Sequence, residues 1–234
     1  MSFTVAGSST PQETPTAVPR GPYAKSEQVQ DRIVQAAVGV FATSGFHAST
    51  LKEIARRAGV SERGLVYHFR TKEALLEAVM NSHHQRRTAV VLSASGLASF
   101  AAVLAVVEAD ADLPDVVGLQ AILSGEATAH DHPAHDHYRL RYADLRRYLS
   151  IAFAASLDDG HAASELAADD LAAGLVALLD GLQMQWLFDR RTVQVVQTVE
   201  GYLAAILSPA AMAEVRRLRQ EFVESTKIAA GSEI

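Results

Sequence analysis

Two short stretches hold the side chains whose types and spacing can do chemistry. Residues 50–69 read TLKEIARRAGVSERGLVYHF, and their last third gathers Ser61, Glu62, Arg63, Tyr67 and His68, polar groups able to face a nucleic-acid groove. Residues 130–137 read HDHPAHDH. His and Asp at such spacing can ligate zinc or nickel. That second stretch straddles a helix break, however, so we read Asp131 or His132 as a cap among surface histidines and assign no metal. An enzyme or metal-dependent sensor using this cluster remains the rival reading from another class. The chain has no cysteine, which excludes disulfides, thiolate metal sites and cysteine nucleophiles. It also lacks a strained Ser elbow, a phosphate-cradling glycine loop and HExxH, so no enzyme and no cofactor are predicted.

The polar set must be carried by helices. From Ser26, Ile33, Ala36, Ala37, Val40 and Phe41 follow a 3.6-residue stripe that Gly45 should stop, with Phe46 packing after the cap. Thr50 to Glu53 reads as a capping box, in which each side chain satisfies one orphan amide. Ser61 caps a second short helix to about 69, and Thr71 a longer one to about 87. Gly59 supplies the left-handed turn between the two short helices. Ile54, Ala58, Val60, Leu65 and Phe69 pack them together, with small Ala55 at the crossing, giving a helix-turn-helix.

Beyond residue 92 helices are predicted at 97–109, 114–129, 133–156, 165–189, 193–207 and 209–228. Pro114, Pro133 and Pro209 stand where helices begin. With no alternating β-branched run, the fold class is all-α. Residues 1–22 read as a disordered arm, 23–88 as a DNA-binding domain and 89–230 as a larger helical domain.

Charge supports that division. The 234-residue chain carries −6, but residues 20–92 hold eleven basic and six acidic side chains, a net of +5, and the remainder nets −11. A basic end on an acidic body suits a protein that meets phosphate at one end. The longest uninterrupted apolar runs, 100–107 and 172–179, fall short of the roughly 20 residues that span a bilayer. The first twenty residues lack a basic start and an apolar stretch. A soluble, cytoplasmic protein with no membrane partner is expected.

Residues 32–79 resemble the DNA-binding domain of tetracycline-repressor-like (TetR) transcriptional regulators. The cues are Phe41-Ala42 with Gly45-Phe46, Thr50, Ile54-Ala55, Ala58-Gly59-Val60-Ser61, Val66-Tyr67-His68-Phe69 and Lys72-Glu73-Ala74-Leu75-Leu76. The resemblance implies a homodimer on a palindromic double-stranded operator, released by a small-molecule effector in the C-terminal domain. A repressor is the leading reading, an activator the alternative. It places Ser61, Tyr67, His68 and Lys72 on backbone phosphates. Thr50 can offer its hydroxyl and helix-terminal amides to a phosphate. Arg63 can read guanine O6 and N7, and Glu62 can accept from cytosine or hold Arg63. Gly64 departs from the family, which often has a small side chain there, and allows close backbone approach to the groove. Arg20 and Lys25 suit an adjacent minor groove.

In the C-terminal half, Leu171, Gly174, Leu178 and Gly181 on one helix and Val196, Val199, Leu203 and Ile206 on the next form continuous seams. They suit a four-helix dimer interface, two helices from each subunit. Tyr138, Tyr142, Gln183, Met184 and Trp186 are candidates to line the effector pocket, offering an apolar wall with polar tips.

Overall fold

The computed structural model describes the backbone of residues 22–92 and 94–231, and the side chains of 26–82 and 94–224. Arg20, the side chain of Lys25 and all of the predicted arm except Pro22 lie outside the described residues. Among the described residues there are ten α-helices and, apart from one antiparallel bridge between Ala162 and Leu207, no strand. The all-α expectation holds.

The first four helices are α1 (Pro22–Ala48), α2 (Leu51–Ala58), α3 (Glu62–His68) and α4 (Lys72–Leu92). Gly45 does interrupt α1, at φ 73° and ψ 178°, although a further turn runs on to Ala48. Phe46 is buried against Phe41, ring centres 5.9 Å apart. Gly59 takes the left-handed conformation, φ 67° and ψ 36°, and ends α2. Its N–H reaches the Arg56 carbonyl while Val60 N–H reaches Ala55, the paired bonds of a Schellman cap.

One local expectation is corrected. Thr50 Oγ1 accepts from Glu53 N–H at 3.2 Å, but the Glu53 carboxylate does not return to Thr50. It binds Arg56 at 2.9 and 2.6 Å instead, so only half the capping box forms. An arginine one turn along outcompetes a single backbone amide for the carboxylate.

The body comprises α5 (Leu97–Asp110), α6 (Pro114–Glu126), α7 (His135–Asp158), α8 (Ala168–Phe188), α9 (Val195–Ala204) and α10 (Pro209–Gly231). Pro114 and Pro209 open their helices as expected. Pro133 does not, because α7 starts two residues later, after a turn in which His132 Nδ1 accepts from Ala134 N–H.

Two apolar cores result. The first joins Ile33, Phe41, Ile54, Leu65 and Leu75 of the head to Val116, Leu119 and Leu123 of α6. The second, built on Phe100, Leu149, Phe153, Leu171, Val199 and Leu203, lies wholly in the body. Burying each such side chain is worth roughly 1.5–3 kcal/mol. The head thus shares its core with α6, which runs against α1. At Gly118 of α6 an added Cβ would meet Ala42 at an ordinary contact distance of 3.8 Å.

Helix α8 corrects the apolar-run estimate. Its 21 residues have a mean hydropathy of 1.4 over the best window, long and apolar enough by length and composition to cross a membrane. The run count missed this because Asp180 interrupts it. Leu171, Ala172, Leu175, Val176, Leu179 and Leu182 pack one face of α8 into the chain's own core.

Candidate nucleic-acid interface and internal cavity

The second motif helix, α3, is anchored by one residue and capped by another. Leu65 is fully buried, and Ser61 Oγ accepts from Gly64 N–H at 3.0 Å. A hydroxyl that accepts can still donate, so Ser61 and Thr50 each keep an O–H for a phosphate oxygen. Glu62, Arg63 and Tyr67 point to solvent, and His68 is half-buried. Tyr67 is the most open of the set at 83% exposure, its ring edge-on to His68 at 5.2 Å. Glu62 and Arg63, both exposed, form no ion pair with each other, because neighbours diverge around a helix, so the alternative in which Glu62 holds Arg63 is not seen. A Cβ at Gly64 would lie 3.2 Å from Ser61 Oγ, so the glycine keeps room for the cap.

Lys72 is placed differently from its neighbours. Its ammonium donates to the carbonyls of Phe46 at 2.6 Å, Ser49 at 3.0 Å and His47 at 3.3 Å, and sits over the Phe46 ring at 4.3 Å. All three of its N–H groups are thereby engaged, and a phosphate contact requires one to be given up. In this position Lys72 ties the end of α1 to the start of α4.

The same Phe46 meets the body. Its N–H donates to Glu126 Oε2 at 2.7 Å, from the last residue of α6. Here the His/Asp-rich stretch proves to be partly interior. His132, expected at the surface, is buried, its ring edge-on to Phe46 at 5.3 Å and to His47 at 5.1 Å. With Nδ1 accepting from Ala134, the neutral ring carries its proton on Nε2, 3.7 Å from Glu126 Oε2. His130 and His135 form a separate pair at 3.2 Å, and His135 Nδ1 donates to the Ala127 carbonyl. Among the described residues no three His, Asp or Glu side chains gather as a metal site.

Burial lowers the His132 pKa below its ordinary value, with Glu126 and Asp131 opposing and His47 assisting. A histidine whose folded pKa lies under its unfolded value of about 6.5 stabilises fully above that pH, and that stability drains as pH falls through it. The melting temperature of the wild type should therefore drop more steeply between pH 7 and 5.5 than that of His132→Gln. Parallel slopes would remove His132 as the source.

The seam residues divide. Leu171, Val199 and Leu203 are fully buried in the chain's own core, and Gly174 faces the Tyr202 hydroxyl, 2.8 Å from where a Cβ would be. Leu178, Val196 and Ile206 pack partly against the same core, leaving Gly181 exposed. The open face of α8 is the adjacent one, carrying Ala173, Ala177, Gly181, Met184 and Phe188, the last 86% exposed.

A cavity of about 460 Å³, open to solvent at a rim that carries Asp144, Arg147 and Ile151, lies among α4, α5, α6, α7 and α8. Val103, Val107, Leu119, Leu123 and Leu179 supply its apolar wall, and of the five pocket candidates Tyr138 and Gln183 line it. Tyr142 does not line it, although its hydroxyl lies near Asp180, which does. Met184 turns outward, and Trp186 lines a second cavity of about 220 Å³ that also touches Gln183. Sequence reasoning missed Gln120 and Arg141, both in the larger wall.

Comparison with known proteins matches residues 33–79 to the profile of bacterial regulatory proteins of the tetR family. Residues 98–208 match the C-terminal region of BetI-type transcriptional repressors. The regulator SrpR of Pseudomonas putida is 41% identical over 59 residues, 25% of this chain and 28% of that protein. The chain spans about a third or less of the length of the first curated relatives it matches. Similar folds include a TetR regulator from Chloroflexus aurantiacus, TM-score 0.64 at 20% identity, covering 79% of this chain and 99% of that one. Another is a transcriptional regulator from Saccharomonospora viridis in complex with choline, TM-score 0.63 at 23% identity, covering 78% and 99%. The two profile matches take in about two thirds of the sequence, one on the helix-turn-helix head and one on the helical body. The chain therefore belongs to the TetR family of bacterial regulatory proteins, whose members are helix-turn-helix transcriptional regulators rather than enzymes.

Proposed function

We propose that the protein is a cytoplasmic, homodimeric transcriptional repressor that binds a palindromic double-stranded operator and is released from it by a small-molecule effector. The observation that carries this reading is α3 itself. Leu65 anchors it, Ser61 caps it, and Arg63 and Tyr67 stand free on its outer side. In this arrangement Thr50, Ser61, Tyr67 and His68 hold phosphates, Arg63 reads bases, and Glu62 and Gly64 lie along the groove. The match to BetI-type repressors supports the direction of regulation, and the choline-bound neighbour supports a small-molecule effector.

Dimerisation is supported by the open small-residue face of α8, with Gly201 and Ala204 exposed beside it on α9 and Ala205 just after. A second copy crossing there covers Phe188 and explains why α8 is apolar on both sides. Gly181 lies on that seam, and Leu178, Val196 and Ile206 stay at its edge.

Release follows from α6. Its Leu119, Gln120 and Leu123 line the cavity while its terminal Glu126 holds Phe46 of the head. An effector that prefers one setting of α6 shifts the population of head positions, to the extent of its differential affinity. Two α3 helices about 34–36 Å apart enter successive major grooves, and another spacing does not.

The test is selection of bound fragments from genomic DNA with purified protein, followed by sedimentation and a salt series on the selected duplex. A palindromic consensus bound by a dimer, with affinity falling steeply with salt, is the expected result. A monomer with no preferred duplex would overturn the reading.

A further inference from the structure

The wall of the larger cavity says what kind of effector it takes. Its carboxylates each have an interacting neighbour: Asp110 Oδ2 accepts from Gln183 Nε2 at 3.2 Å, and Asp180 acts on the nearby Tyr142 hydroxyl. Asp144 and Arg147, at the rim, are largely exposed and pair with each other at 2.9 Å. Two donors are in the opposite condition. Arg141 Nη1 and Gln120 Nε2 are both shielded from solvent and have no hydrogen-bond partner. They come from facing elements, α7 and α6, and line the same apolar cavity.

Buried donors are almost always satisfied, and a guanidinium N–H left without an acceptor is among the more costly exceptions. Nearby groups do not relieve it. The Arg141 guanidinium lies over the Tyr142 ring, 5.6 Å from its centre, a cation–π contact that supplies no lone-pair acceptor for an N–H. Burial holds the Tyr138 and Tyr142 hydroxyls in their neutral form, so neither supplies an anion. The missing group is an acceptor, with charge opposite to the guanidinium, on a body that can fill an apolar space.

Resting on the reading of this cavity as the effector site, we propose that the effector is an amphipathic carboxylate. Its carboxylate is gripped by Arg141 and Gln120, and its apolar portion lies against Val103, Leu119, Leu123 and Leu179. A guanidinium and a carboxylate match in planar, bidentate geometry, which gives orientation as well as affinity. A quaternary ammonium is the competing chemistry, since tyrosine rings and carboxylates also line this region. It would leave both orphan donors unanswered and place a second cation beside Arg141.

The experiment compares three probes sharing a ten-carbon tail: decanoate, decanol and decyltrimethylammonium, titrated calorimetrically into the full chain without DNA. Decanoate should bind tightest. Arg141→Met should weaken decanoate by about tenfold or more and leave decanol unchanged, because only the charged hydrogen bond is lost. The same variant should melt no lower than wild type when empty, since a half-buried guanidinium with an unanswered N–H has been replaced by an apolar side chain. A merely structural arginine would give a lower melting temperature instead. Gln120→Leu should weaken decanoate less than Arg141→Met does. Equal or tighter binding of the ammonium, unchanged decanoate affinity in Arg141→Met, or no binding of any probe overturns the inference. Operator affinity is then read separately. Decanoate that binds without loosening DNA preserves the carboxylate site and sinks effector-controlled release, whereas an ammonium that binds and releases DNA does the reverse.

Discussion

Gly45→Ala should lower the stability of the protein by about 3–5 kcal/mol, the largest loss expected from any single methyl group added to this chain. Two independent causes combine. Gly45 sits at φ 73° and ψ 178°, a backbone region open to almost nothing but glycine. A Cβ built there would lie 2.2 Å from Glu126 Oε1 and 2.8 Å from Cδ, so the carboxylate must leave. When it leaves, Phe46 N–H loses its charged acceptor and the closest polar link between head and body is broken. Gly59→Ala separates strain from contact. Gly59 also has positive φ, 67°, but nothing lies within 4 Å of its added Cβ, so only the left-handed cost of about 1–2 kcal/mol applies. Chemical denaturation of Gly45→Ala, Gly59→Ala, Glu126→Ala and the Gly45→Ala/Glu126→Ala pair should show the pair less destabilised than the sum of its members. If Gly45→Ala costs no more than Gly59→Ala, Glu126 does not couple the halves.

Whether a feature could be read from the residues depended on how far away its cause lay. The two caps, the left-handed Gly59 and the five apolar positions of the motif are set by neighbours within a few residues, and all were legible. The break at Gly45 was legible too, but not its partner, because Phe46 and Glu126 are 80 positions apart. His132 was misread for the same reason. Nothing adjacent to it in sequence announces burial, which comes from Phe46 and His47 of the head. On α8 the helical period was visible but its phase was not. Leu171 with Gly174 and Ala173 with Ala177 are equally good seams on paper, and only packing of α7 and α9 shows that the first faces inward. Of the residues expected in the pocket, Tyr138 and Gln183 reach the larger cavity while Tyr142, Met184 and Trp186 do not, and Gln120 and Arg141 escaped notice because an unsatisfied donor is a property of surroundings, not of residue type.

Arg63→Ala and Tyr67→Ala should both weaken operator binding, and for different physical reasons. Arg63 is exposed on the outer side of α3, makes no ion pair with Glu62, and carries the bidentate fork that suits guanine O6 and N7. Its loss should cost about 1–3 kcal/mol at the cognate base pair, roughly 5- to 150-fold, while binding to random duplex falls far less. Tyr67 presents a hydroxyl from a ring held edge-on by His68. A phosphate contact carries no sequence information, so Tyr67→Ala should weaken operator and random DNA by the same factor and leave the operator-to-random ratio unchanged. Neither change touches a buried side chain, since the turn is fixed by Leu65 and by Ser61 Oγ on Gly64 N–H, so both variants should melt close to wild type. Binding measured on the selected operator, on single-base variants of it and on random duplex decides the matter. An Arg63→Ala protein with an unchanged operator-to-random ratio would move base reading to another residue of α3. A Tyr67→Ala protein with a collapsed ratio would make the tyrosine a reader rather than an anchor.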